Sequence, residues 1–395
     1  MASIKLKGDT SGEVIISAPS VAGNTTLELP ATSSTLATQN SLGMRNLIIN
    51  GDMRIAQRGT SVTGATSGGY KTCDRWRVSI TTQGTWTISQ SSTTPNSEFS
   101  SSLKFDCTTA DASPVSSDQV AVETRLEAQD ITHLGYGNSD AKVITVSFWV
   151  RSNKTGTYTF ELFAQDPNRF NSTTYTIDSA DTWEKKEITV PADISGSGID
   201  NNNDIGLIVK WWLGAGSTFT GGTFTNNVWE ENINANRVPT SQVNLADSTD
   251  NEWYITGVQL EVGEQATPFE HLQFGQQLAL CQRYYWKQQS NDSSNYFTDM
   301  GFGLSTTTAF VYSQFPVTMR TSPTALEQSG TATDYRLTRF GYVSTITCSV
   351  VPTFQDANPN HAVSLFTVSS GLQNGYAGGA RSATADAYLA WSAEL

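Results

Sequence analysis

The sequence predicts an all-β protein, and three observations carry that prediction. Apolar residues recur with a period of two in many short runs, and Gly, Asn, Asp or Pro bound those runs. The polar residues are mainly Ser, Thr, Asn and Gly: 15% of the 395 residues are charged, against 37% hydrophobic and 10% aromatic. That mixture suits strands with polar outer faces joined by turn-rich loops. A chain of this length leads us to expect two or three domains.

Residues 1–42 come first, as an attachment segment with two short strand-like runs, Val14 to Ser17 and Leu27 to Leu29. So few apolar side chains cannot build a core, so the segment is expected to pack on copies of itself or on a larger assembly. Residues 43–272 then read as a jelly-roll β-sandwich. In KVITVSFWVRS, Ile144, Val146, Phe148 and Val150 share one face, and Tyr158, Phe160 and Leu162 do the same in the next run. GLIVKWWLGAGS sets Leu207, Val209, Trp211 and Leu213 against Ile208, Lys210 and Trp212. Within NLIINGDMRIAQRGTS, Asn50-Gly51 reads as a turn with positive φ between a strand through Leu47 and Ile49 and one carrying Met53 and Ile55.

The period changes once. Phe274, Leu278, Cys281 and Tyr285 are spaced to line one side of a short helical joint. Residues 273–395 return to strands and predict a C-terminal β-sandwich domain that forms the distal tip, with turns at residues 291–294 and Asn374-Gly375 and a final strand in AYLAWSAEL.

Net charge is −13, from 24 basic and 37 acidic residues. No basic cluster matches a row of phosphates, which argues against nucleic acid as a partner. MASIKLKGDT does not resemble a signal peptide and no run approaches a membrane span, so synthesis in a cytoplasm without membrane insertion is expected. Cys73, Cys107, Cys281 and Cys348 are widely separated and read as free, buried thiols. The three histidines, His133, His271 and His361, form no metal-ligand spacing, and neither a nucleophile elbow nor a phosphate loop is present. No cofactor is expected. Glu161, Asp166, Glu230, Glu231 and Glu261 are the carboxylates a glycosidase could pair, but solvated strand and loop acids are the simpler reading, and the chain is expected not to be an enzyme.

Aromatic residues point instead to binding. Ten Trp and thirteen Tyr in so uncharged a chain suit recognition of sugar rings, whose C–H faces stack on aromatic planes. Trp76 and Trp253 read as framework. Tyr296, Phe297, Trp212 and Trp229 are the candidate glycan contacts.

Several segments, in order, resemble structural proteins of tailed-bacteriophage virions, chiefly tail-fibre or receptor-binding components. GDTSGEVIISAPSVAGNTTLELPATSSTLAT is similar to their N-terminal strand repeat. NLIINGDMRIAQRGTS with YKTCDRWRV resembles the opening of their carbohydrate-binding-like jelly roll, and SFWVRSNKTGTYTFEL, LGAGSTFTGGTF and WYITGVQLEVGEQATPFEHLQFGQQLALCQRYYW continue it. FPVTMRTSPTAL and AYLAWSAEL are similar to the closing domain of some of these proteins. The resemblance implies a virion location with assembly in the host bacterial cytoplasm, a homotrimer, other tail proteins held through residues 1–42, and adsorption to a bacterial surface glycan. It is also compatible with a purely structural appendage or adaptor and, less well, with a glycan depolymerase. Residues matching the pattern, including Trp76, Trp149, Trp229 and Gln259, read as framework. Related jelly rolls hold a structural calcium near the opening NGD, which makes Asp52 a candidate ligand. Gly257 stands where the last strand would supply a carboxylate, so the calcium site is not expected to be complete.

Overall fold

The computed structural model describes residues 3–7, 13–17, 44–339 and 345–395. Two units are present, residues 1–43 and 44–395. In the first, β1 (Ser3–Lys7) pairs antiparallel with β2 (Glu13–Ser17). The expected run Leu27 to Leu29 lies outside the described residues.

Eleven strands build the sandwich. They are β3 (Ser61–Tyr70), β4 (Arg77–Ser91), β5 (Ser102–Thr109), β6 (Gln119–Glu127), β7 (Ile144–Ser152), β8 (Gly156–Ala164), β9 (Arg169–Ile177), β10 (Glu184–Val190), β11 (Ile205–Ala215), β12 (Trp229–Glu231) and β13 (Glu252–Val262). Hydrogen bonding runs β10-β7-β13-β5-β4-β6-β11-β8-β9-β12, with β3 attached to β4. The 15-residue β4 joins two layers: its first part pairs with β6 and its last part with β5, and Thr82 and Gly84 between them have positive φ. Phe148 of β7 in one layer meets Phe160 of β8 and Trp211 of β11 in the other, at ring separations of 6.5 and 5.5 Å. The inward sets read from the sequence form this core, with Trp76 and Trp253 inside it. Gln259 is likewise buried.

The opening NLIING segment folds differently from the expected hairpin. Asn50 has φ 59°, as a turn requires, but no strand flanks it. Its side chain takes the hydrogen bonds a partner strand would have taken. Nδ2 donates to the carbonyls of Ile55 and Asp74, and Oδ1 accepts from the Ile55 amide, each at 2.9 Å. Gly51 abuts β13 so closely that a Cβ would lie 2.1 Å from the Val258 carbonyl, while the Val258 amide donates to the Gly51 carbonyl. The segment is a plug against the sandwich.

Beyond the sandwich, a helix at Phe274–Gln282 leads into β14 (Tyr285–Gln289). Its buried residues are Gln277 and Cys281. Phe274 was expected on the apolar side but is exposed, as are the capping Gln273 and Gln276 and the intervening Gly275; Tyr285 belongs to the following strand. There follow β15 (Tyr296–Gly303), β16 (Thr308–Gln314), β17 (Glu327–Gln328), β18 (Tyr335–Arg339), β19 (Thr345–Asn358), β20 (His361–Val368), β21 (Ala377–Ser382) and β22 (Tyr388–Ser392). Six of these close into a barrel in the order β15-β16-β20-β19-β18-β21, and β22 lies between β14 and β17 in a three-stranded sheet. Phe297, Tyr335 and Phe366 fill the barrel among small residues such as Ala362 and Ala380. Trp286 stacks on Trp391 at 5.2 Å.

Sandwich and barrel are joined through charge. Buried Arg75 bonds Glu394, donates to the Arg125 carbonyl at 2.6 Å, and lies 3.4 Å over the Tyr284 ring. Arg283 grips both oxygens of Glu127 at 2.7 and 2.8 Å. Arg320 donates to the carbonyls of Ala393, Asn203 and Glu394.

Candidate functional site

The four aromatics singled out from the sequence occupy four different settings. Tyr296 and Phe297 are neighbours on β15, and successive side chains of a strand point to opposite faces. Tyr296 is therefore exposed, with the Arg381 guanidinium 4.4 Å over its ring, whereas Phe297 points inward against Tyr335 and offers no contact surface.

Trp212 does point away from the main core, yet its own chain covers it. Phe219 and Val238, from the stretches on either side of β12, close over Trp212 and Ala121 on the outer face of β11 and β6, while β12 itself pairs with β9. The Trp212 indole donates to Glu161 Oε2 at 3.1 Å, and the Arg237 guanidinium sits 5.4 Å above the ring while binding the same carboxylate. Fully buried, Trp212 has no face for a ligand. Trp229 is framework as well: its indole donates to the Pro191 carbonyl at 2.8 Å and its ring meets Tyr136 edge-on. Trp149, which the resemblance also makes framework, is half-buried.

The same outer face holds alternating charges in register across four strands, Arg77, Glu123, Lys210 and Glu161, and the row ends on Ser172 of β9. Burial would raise the Glu123 carboxyl, but Lys210, Arg125 and Arg77 bring it down to about 2. Burial works the same way on Glu161, and Arg237 and Lys210 outweigh it, holding that carboxyl below its ordinary value. Both are committed anions, which suits structure and not proton donation.

The other candidate carboxylates are dispersed. Glu231 pairs with Arg169 at 2.7 Å, Glu261 accepts from Gln259 and Thr267, and Asp166 accepts from the Asp200 amide. Glu230 is half-buried. Asp52 forms an ion pair with Arg54 at 2.9 Å. In β13, Gly257 has φ +61° at a register shift, and a side chain there would strike Phe99 and Trp149. Among the described residues no three His, Cys, Asp or Glu side chains converge as metal ligands. All four cysteines are free and buried.

The barrel supplies the exposed aromatic surface, from residues the sequence did not single out. Alternation along β16 sends Ala309, Val311 and Ser313 inward and Thr308, Phe310 and Tyr312 outward. Phe302 on β15 lies directly opposite Phe310, their rings 5.8 Å apart and perpendicular. The ring of Tyr312 is stacked with Phe302, 6.2 Å away and within 26° of parallel, and the three side chains together make an aromatic platform on the outer side of the barrel. His361 continues the row 6.5 Å from Tyr312. The β15–β16 turn is set by Ser305, whose hydroxyl accepts the amides of Thr307 and Thr308 at 3.1 Å.

Beside the platform is a pocket of about 350 Å³ including the space open to solvent, lined by Phe302, Ala309, Val311, Leu337, Thr338, Leu372, Gln373 and Tyr376 and by glycines 301, 303, 378 and 379. Among the described residues no charged side chain lines it. Tyr376, 49% exposed, stands on its rim, carried by the Asn374-Gly375 turn, where Gly375 has φ +76°. That residues 273–395 return to strands was visible in the sequence; that these outward aromatics meet across two of them was not.

No protein-family model and no curated protein match the chain. Solved structures do. Over 55% of its length the chain is similar to the enzymatically active domain of tailspike protein 4 of bacteriophage CBA120, at 10% identity and a TM-score of 0.29; the match spans 21% of that chain. A putative sugar binding protein from Bacteroides thetaiotaomicron matches over 55% of this chain and 100% of its own, at 13% identity and a TM-score of 0.32. TmCBM61 in complex with β-1,4-galactotriose matches over 55% and 99%, at 12% identity and a TM-score of 0.27.

Proposed function

We propose that this chain is a non-enzymatic, tail-fibre-like virion protein of a tailed bacteriophage that adsorbs to a bacterial surface glycan through the outer face of its barrel. The observation that carries the reading is the outward platform of exposed Phe302 with half-buried Phe310 and Tyr312, beside a pocket that no charged side chain lines among the described residues. A pyranose stacks its C–H face on such a surface while its hydroxyls find polar partners at the rim. Binding without cleavage is supported by the dispersal of the candidate carboxylates and by the Arg237 and Lys210 cations that hold Glu161 below its ordinary value, which suits an ion pair better than proton donation.

The ordered segments that resemble phage fibres support a virion setting, with residues 1–42 as the attachment to other tail proteins and three copies per fibre. Weak single sites then gain from multivalency, because each bound copy raises the effective concentration of the rest. Phage adsorption to host cells, measured with and without purified full chain, tests the reading. Slowed adsorption is expected, and loss of that competition in Phe302→Ala would place the contact on the barrel. Unchanged adsorption at saturating protein would overturn receptor binding and favour a purely structural adaptor.

A further inference from the structure

Resting on the glycan reading above, we infer that the barrel face takes an extended, neutral stretch of a polysaccharide, about three sugars long and lying across the strands, and not a single terminal sugar. The platform does not stop at β16. Along β20, Ala362, Ser364, Phe366 and Val368 are buried, so His361, Val363, Leu365 and Thr367 point outward. Register sets Leu365 opposite Phe310 and Val363 opposite Tyr312. Side chains opposed in this way have Cβ atoms ~4.5–5.5 Å apart and touch.

Phe302, Phe310 and Leu365 therefore make one apolar row across β15, β16 and β20, and exposed Thr353 of β19 ends it. Tyr312 and Val363 make a second, and exposed Asp356 ends that. The next rows are polar on both sides: Thr308 opposite Thr367, and Gln314 opposite His361. The result is an apolar band two residues wide, bordered by hydroxyls, an amide and an imidazole. Neighbouring strands lie about 4.8 Å apart, close to the advance of one sugar ring along an extended chain, so successive rings can rest on successive strands while their hydroxyls reach the polar borders. A terminal sugar would use the Phe302–Phe310 end and leave Val363 and Leu365 without contact. The charged member of the two apolar rows is Asp356, an anion in a chain of net charge −13, which favours a neutral polysaccharide over an acidic one.

The probes are surface polysaccharide from a bacterium to which the phage adsorbs and its partial acid hydrolysate, sized into fragments of one, two, four and six sugars. Binding of each to the full chain is measured by calorimetry. Affinity is expected to rise about tenfold from two sugars to four and then to level off, as each added contact contributes a few-fold. Leu365→Thr keeps a good strand former and removes the apolar end of the first row. It is expected to weaken the four-sugar fragment about fivefold and to leave the two-sugar fragment, seated on Phe302 and Phe310, unchanged. A thermal melt shows whether this variant is folded, and the length series on the unaltered chain stands without it. Equal affinity for one sugar and for six would overturn the inference and leave the glycan reading standing, as would binding of the uncut polysaccharide with none of its fragments. If Leu365→Thr dissociates an assembly that the unaltered chain keeps in sedimentation, the band is an interface between copies and the inference falls. Absence of binding to every fragment and to the uncut polysaccharide overturns the inference and the glycan reading together.

Discussion

Trp212 on the sandwich and Phe302 on the barrel start from the same pattern: each is an aromatic on the outer side of a strand, beyond the main core. Trp212 is covered by Phe219 and Val238 and locked between Arg237 and Glu161, whereas Phe302 keeps 38% of its surface exposed beside an open pocket. Strand periodicity says which side a residue takes. It does not say whether another stretch of the same chain will lie over that side.

The comparison breaks if Arg237→Ala proves mild. Removing the cation leaves Glu161 buried and uncompensated, and the expected cost is roughly 3–5 kcal/mol. Denaturant unfolding measures it, while glycan affinity of whatever remains folded should not change. Trp212→Ala is expected to lose a comparable roughly 3–5 kcal/mol through the cavity it leaves, again without a specific loss of binding. Were Trp212→Ala to abolish binding at intact stability, the sandwich face and not the barrel would be the site.

Acid sharpens the contrast next. The Glu123 carboxyl titrates near 2 in the folded chain against about 4.5 in a model peptide. A folded value below the unfolded one contributes stability that is present above about pH 4.5 and is lost as pH falls toward 2, on the order of 3 kcal/mol for this group. Urea midpoints should drop across that window, and Glu123→Gln, already weakened at neutral pH, should show a shallower drop.

On the barrel the expectation reverses. Phe302→Ala should leave stability within about 1 kcal/mol, as surface substitutions do, and reduce glycan binding tenfold or more. Tyr296→Ala is the smallest effect expected: the residue lies on the same strand, stacked with Arg381 and away from the pocket lining, and its loss should change affinity less than twofold.

Much of the fold was legible because a period of two survives burial. The alternating sets around Phe148, Phe160 and Trp211 mark the core directly, and Asn50 announces its turn. The helix was legible in existence but not in its buried side, since Gln277, a polar residue, is buried where Phe274 was expected to be. The site was the hardest part. Tyr296-Phe297 were read as a pair although strand geometry separates neighbours, and the platform depends on the register of β15 against β16, which two separated segments do not declare.

The joint between sandwich and barrel has a mechanical consequence. The chain passes into the three-stranded sheet just after Tyr284 and leaves it at Ala393, and the Ala393 amide donates to the Tyr284 carbonyl at 2.7 Å. Two adjacent, bonded strands, flanked by Arg75, Arg283 and Arg320, resist torque where a single connecting peptide would act as a swivel. The barrel cannot rotate about its root to find a ligand. Whatever orientation the sandwich adopts in an assembly is passed rigidly to the platform, so the search for a surface falls to the assembly as a whole.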